Sequence, residues 1–188
     1  KLLQIKKDIE RDDPRAVVHV ATNPSGALAD MDMIVTATSA AGLKVLDIMC
    51  VKPGCVITDV ARPLDMSAED VAKRPDVLVI ESGEIELPGD IRMKSIGLPD
   101  RTVYACLAET IVLALAGRYE NFTVGRNLSW PKVKEIYQLG LEHGMKLATI
   151  SGINGPYTDA DFDRVRTAAL AARAALSPAD ANNAKENR

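Results

Sequence analysis

Aromatic residues are scarce: one tryptophan, four tyrosines and two phenylalanines in 188 residues. That is too few rings for a platform that stacks nucleobases. Lysine and arginine together number 23 against 26 aspartates and glutamates, giving a formal charge of -3. There is no basic stripe of the kind that neutralises phosphates, so nucleic acid is not an expected partner. His19 and His143 are the only histidines, which rules out a multi-histidine metal centre. The three cysteines, Cys50, Cys55 and Cys106, cannot all pair within one chain, and none forms a Cys-x-x-Cys spacing. A reducing, cytoplasmic setting is therefore expected. No apolar run approaches the roughly 20 residues of a membrane-spanning helix, and the start carries no signal-peptide pattern.

What the chain does have is a run of short β-branched segments. Residues 16–20, 33–38, 55–60 and 77–80 read as four strands without a clean polar and apolar alternation, the pattern of parallel strands covered on both faces. Before them, Leu2, Leu3, Ile5 and Ile9 fall on a helical period. Between them Ser67 precedes two acids, as a capped helix start does. From residue 100 the pattern turns helical. An almost wholly apolar helix spans 103–116 and stops at Gly117, and a second follows Ser129 with Pro131 in its first turn and His143-Gly144 at its end. A third starts at Thr158, with Asp161 in capping-box position, and runs to Leu176 ahead of a frayed tail.

The expected fold is α/β: a partial doubly wound, Rossmann-like parallel sheet followed by a helical C-terminal region. It is partial because no Gly-x-Gly-x-x-Gly turn occurs anywhere in the chain, although such a sheet carries one after its first strand. The sequence thus reads as a fragment whose N-terminal half is missing; the alternative is a smaller, complete four-strand α/β domain. Three regions are expected: 1–99 from the sheet domain, 100–150 helical, and 151–188 a helical extension with a flexible tail.

Cys106 lies near the start of the apolar helix, where the helix dipole favours an anionic sulfur and a cysteine can serve as a nucleophile. It can equally be a small core residue. Glu109, three residues on, shares its side of the helix. An acid there needs a partner, either a structural ion pair with Arg118 or Arg126 or a role in orienting the reacting group. Ala37, Thr38 and Ser39 follow the second strand and Asp59 ends the third, at the carboxyl ends where such sheets bind ligands. Residues 81–90 concentrate four carboxylates without paired spacing. They read as a solvated loop, and no metal site is assigned.

Tyr104-Ala105-Cys106-Leu107-Ala108-Glu109, then residues 119–127 ending Gly125-Arg126-Asn127, then Glu142-His143-Gly144-Met145, together resemble the long-chain acyl-ACP reductases and their bacterial relatives labelled predicted amino-acid dehydrogenases. The resemblance covers roughly residues 1–148. It implies reduction of a long-chain acyl thioester, carried on acyl carrier protein or coenzyme A, to a fatty aldehyde with NADPH. It implies Cys106 as the nucleophile, Glu109 beside it, Ala37, Thr38, Ser39 and Asp59 at the NADPH site, and Glu86 and Arg126 supporting substrate or structure. It makes residues 1–99 the later part of an NADP-binding domain, so the chain alone is expected to bind NADPH poorly or not at all. Two departures stand out: the glycine-rich loop, and residues 86–90, where the cyanobacterial pattern places a histidine and a further acid. Two other readings compete. One is a shikimate-dehydrogenase-like NADP oxidoreductase acting on a hydroxyl or amino group, with Cys106 only packed. The other is a non-catalytic binding module.

Overall fold

The structure, a computed structural model, describes residues 1–39, 44–125 and 128–176. Helix α1 (Leu2–Asp12) opens the chain. Strands β1 (Met33–Thr36), β2 (Val56–Asp59) and β3 (Leu78–Glu81) follow, with the short helix α2 (Ala68–Ala72) between the last two. The three strands pair in parallel in sequence order, Ile34 opposite Ile57 and Ile57 opposite Val79. Side chains alternate across a strand, so Ile57 and Val79 share one face. They pack there with Leu28, Ile48, Val51, Met66 and Val77, while Ile34 lies against the cluster's margin.

Residues 16–20, expected as a strand, join no ladder. Val17 is 78% exposed, and the segment is held to α1 instead, the Val18 amide donating to Glu10 Oε1 at 3.2 Å and Lys6 Nζ to the Val18 carbonyl. β-Branched composition suits a strand but supplies no partner for its backbone. The acidic stretch is a second correction. Glu84–Glu86 form strand β4, not a solvated loop, and Thr102–Tyr104 form β5, so the apolar helix α3 begins only at Ala105 and ends at Leu115. Helix α4 (Trp130–Glu142) and strand β6 (Lys146–Leu147) follow, and β4 pairs antiparallel with both β5 and β6. Ile85 on β4 lies against a second core of Leu87, Val103, Ala108, Val112 and Met145.

After residue 148 the chain returns to the first sheet. The hairpin of β7 (Ser151–Gly152) and β8 (Gly155–Pro156) adds antiparallel to β3, and the Tyr157 hydroxyl donates to the Val79 carbonyl at 2.8 Å. Helix α5 (Asp159–Ala175) starts with the expected capping box between Thr158 and Asp161 and lies by the sheet's other face, where Val56 and Leu78 share a groove with Phe162, Val165 and Ala169. The tail from residue 177 lies outside the described residues. No described helix is long and apolar enough to cross a membrane.

Gly54 decides how closely α5 approaches. Its φ is +80°, and a Cβ there would stand 2.9 Å from Arg173 Nη2 and 3.3 Å from the Ala169 Cβ, while Arg173 Nε donates to the neighbouring Pro53 carbonyl at 2.9 Å. Gly54→Ala is therefore expected to lose more than about 1 kcal/mol, combining left-handed backbone strain with the displaced helix. Urea unfolding of the variant measures it, and an unchanged midpoint would remove Gly54 from this role.

Candidate active site

The carboxyl ends of β1, β2 and β3 lie side by side because the ladder is parallel and in register, with Thr36 opposite Asp59 and Asp59 opposite Glu81. Asp59 is almost wholly buried. Its two oxygens accept from the Ala61 amide at 3.0 Å and the Met66 amide at 2.9 Å, folding the loop after β2 back under the strand end. Thr38 closes the adjoining loop onto Asp65, through its amide at 3.2 Å and its hydroxyl at 2.5 Å. Ala37 and Ser39 are exposed. Thr36 is buried, and among the described residues its hydroxyl has no hydrogen-bond partner, an orphaned polar group of the kind native structures rarely leave without purpose.

Arg62 forms the wall between this crevice and β4. Its guanidinium lies 5.4 Å from the Tyr104 ring centre, donates to the Ala61 carbonyl at 2.8 Å and the Ser82 carbonyl at 3.1 Å, and stands 3.6 Å from Glu84 and 3.9 Å from Glu81. Glu84 is opposite Tyr104 in the antiparallel register, and cross-strand partners share a face. Burial pushes the Glu84 carboxyl above its ordinary value; Arg62 pulls against this and Glu81 adds to it. Neither Glu84 nor Tyr104 was expected at the site. The alternation of acid and apolar residues after Gly83 is the signal that would have placed Glu84 on a strand.

Helix α3 is pinned to this corner by its first residue, the Ala105 amide donating to the Gly83 carbonyl at 2.7 Å. Tyr104 is the N-cap, so Cys106 occupies the first turn, at the positive end of the helix dipole. It is a free thiol and exposed, not a packed core cysteine. Of the two arginines expected for Glu109, Arg118 pairs with Glu120 at 2.7 Å and Glu135 at 2.6 Å, and Arg126 lies outside the described residues. Among the described residues Thr123 holds Glu109, donating its hydroxyl at 2.6 Å and its amide at 3.3 Å. Glu86, two residues beyond Glu84 and so on the same face of β4, pairs with Arg101 at 3.0 Å, and the two acids line one cavity. The structure thus gathers Thr38 and Asp59 with Arg62 and Asp65, fixes Cys106 at the adjoining corner, and ties Glu86 to Arg101.

Removing the Glu109 carboxylate leaves the half-buried Thr123 amide and hydroxyl without it. Glu109→Ala is expected to cost about 1–2 kcal/mol, and Glu109→Gln, which keeps an acceptor oxygen, less than about half of that. Chemical denaturation of both variants separates the cases; equal losses would show that the bond to Thr123 does not carry the stability.

No family model matches the chain. Among curated proteins, it is 35% identical over 133 residues to the aminotransferase PigE of Serratia sp., a match covering 69% of this chain and 15% of that protein. It is 28% identical over 126 residues to the long-chain acyl-[acyl-carrier-protein] reductase of Synechococcus elongatus, covering 64% of this chain and 36% of the relative. Both relatives are enzymes, and the chain spans well under half the length of either.

Proposed function

We propose that the chain is part of an enzyme that reduces a fatty acyl thioester, held on acyl carrier protein or coenzyme A, to an aldehyde, with Cys106 carrying the acyl group. The observation that carries this reading is the exposed Cys106 thiol in the first turn of α3, with that turn tied to the carboxyl end of the parallel sheet through Gly83. A thiolate exchanges directly with a thioester and needs no histidine to activate it. The reductase of Synechococcus supports the reading. The aminotransferase match overlaps the same stretch, since the two aligned lengths together exceed the chain. Amino transfer through pyridoxal phosphate uses a Schiff-base lysine, and among the described residues at the strand ends, 36–39, 59–62 and 81–83, none is a lysine.

In the proposed mechanism the Cys106 sulfur attacks the thioester carbonyl carbon, the bond to the carrier sulfur breaks, and the carrier leaves as a thiol after taking up a proton. NADPH, when bound, supplies the hydride that reduces the acyl group. The C–S bond to Cys106 then breaks, returning the thiolate and releasing aldehyde. The strand ends fit such a cofactor in part: the exposed small residues Ala37 and Ser39 leave the backbone approachable, and the Thr36 hydroxyl is a donor there without a partner among the described residues. Asp59 and Thr38 shape the loops, their side chains being held by Ala61, Met66 and Asp65. Glu109 is a positioning residue that ties the 117–125 turn to α3.

The test is peptide mass mapping after incubation with acyl-CoA or acyl carrier protein thioesters in the absence of NADPH. An acyl group on the peptide containing Cys106, discharged as aldehyde when NADPH is added to the longest natural form, is the expected result. A folded, NADPH-binding protein that no acyl donor labels would overturn the reading.

A further inference from the structure

Beside the first turn of α3, α3 and α4 flank a half-open apolar cavity of about 260 Å³ against β4 and β6. Its walls are Ile85, Val112, Ile136, Tyr137, Leu141 and Met145, and its lining includes Ala105 and Glu109, the residues one before and three after Cys106 on the same helix. The cavity therefore adjoins the turn that carries the thiol. Along α4 the lining recurs at 133, 136, 137, 140 and 141, one face over a little more than two turns, which at 1.5 Å per residue is about 12 Å.

Gly140 is the anomaly in that wall. It lies inside α4 and does not have the left-handed backbone that calls for glycine, so conformational freedom does not account for it, and glycine weakens a helix interior relative to alanine. A Cβ at this position would meet nothing nearer than Met145, at 3.9 Å. What the residue does provide is volume in the cavity.

We infer that this cavity receives an unbranched alkyl chain of medium length and that Gly140 sets the length it accepts. Identifying that chain as the acyl group passed to Cys106 rests on the function proposed above. The length follows from the lining: a zigzag chain with C–C bonds of about 1.5 Å covers the roughly 12 Å of lined α4 in about ten carbons. This is shorter than the long chains that the sequence resemblance implies.

Two readouts test it, on the chain and on its Gly140→Leu and Gly140→Ala variants. The first is calorimetric titration with 1-decanol, which needs no chemistry at Cys106. The second is the rate at which butyryl-, decanoyl- and palmitoyl-CoA acylate Cys106. Decanol is expected to bind the parent chain and to bind Gly140→Leu at least about tenfold more weakly, the scale on which a pocket discriminates added carbon. Gly140→Ala, which favours the helix, should shift in the same direction by less. Decanoyl-CoA should acylate the parent fastest, and Gly140→Leu should lose at least about tenfold with this donor while butyryl-CoA changes by less than about twofold. Decanol affinity equal in all three proteins, no decanol binding at all, or palmitoyl-CoA as the best donor would overturn the inference. Gly140-dependent decanol binding with Cys106 left unmodified by every donor would sustain the cavity's role and remove the thioester reading instead.

Discussion

Replacing Cys106 by serine is expected to abolish acyl transfer, lowering aldehyde formation at least about a thousandfold, while the unfolding free energy stays within about 0.5 kcal/mol of the parent. The first half follows from the chemistry. Covalent catalysis splits a difficult substitution into two steps through one nucleophile, and an alcohol in that place has neither the accessible anion nor the leaving ability of a thiol. The second half follows from position. Cys106 is exposed in the first turn of α3, where substitutions touching no packed neighbour are nearly neutral. The two halves together distinguish a reacting cysteine from a packing one, which would lose stability and keep the reaction. Aldehyde release and a urea curve on the same preparation decide it.

The largest loss of stability is expected from Arg74→Met. Arg74 is only 9% and Asp76 only 7% exposed. The guanidinium makes a forked pair with the Asp76 carboxylate at 2.8 and 2.7 Å and also donates to the carbonyls of Ile48 at 2.6 Å, Met49 at 3.3 Å and Val51 at 2.8 Å. It satisfies the short helical turn that brings Ile48 and Val51 into the sheet core. Removing it strands a buried carboxylate and three acceptors, which costs about 3–5 kcal/mol. The effect has a pH signature. The hydrogen bonds from Arg74 hold the Asp76 carboxyl below the ordinary carboxylate value, against the effect of its burial. A depressed carboxyl contributes stability above its unfolded-state pKa of about 4 and loses it as pH falls through the lower, folded-state value. The gap between parent and variant should be widest at pH 7 and narrow toward pH 3, read as urea midpoints across that range. A gap independent of pH would mean that Arg74 acts through its carbonyl contacts alone.

Some of this was legible in the chain. Three of the four expected strands exist, because runs such as Val56-Ile57-Thr58 suit a pleated ladder, although the cover expected on both faces fails at β1, where Met33 and Val35 are exposed; Thr158 with Asp161 marks its helix start by local chemistry alone. Residues 16–20 have the same composition and no strand, since pairing depends on another segment's backbone. Acid residues at 84 and 86 read as solvated until Tyr104 and Thr102 are seen opposite them. The partner of Glu109 was hidden for a related reason: Thr123 reaches it across a helix end and a turn, 14 residues away, while the arginines that charge alone suggested are engaged with Glu120 and Glu135 or lie outside the described residues. Periodicity and capping are local signals. The tertiary partners that decide the site are not.

The bond between Tyr157 and Val79 joins residues 78 apart in the chain, whereas β1, β2 and β3 meet across much shorter loops. Chain closure grows dearer with separation, so the three-stranded core can assemble as soon as β3 is made, and the β7–β8 hairpin with α5 is added to a sheet that already exists. In time rather than in space, the face that α5 covers is the last to leave water and the first to meet it again, a unit whose amides should exchange before those of β2.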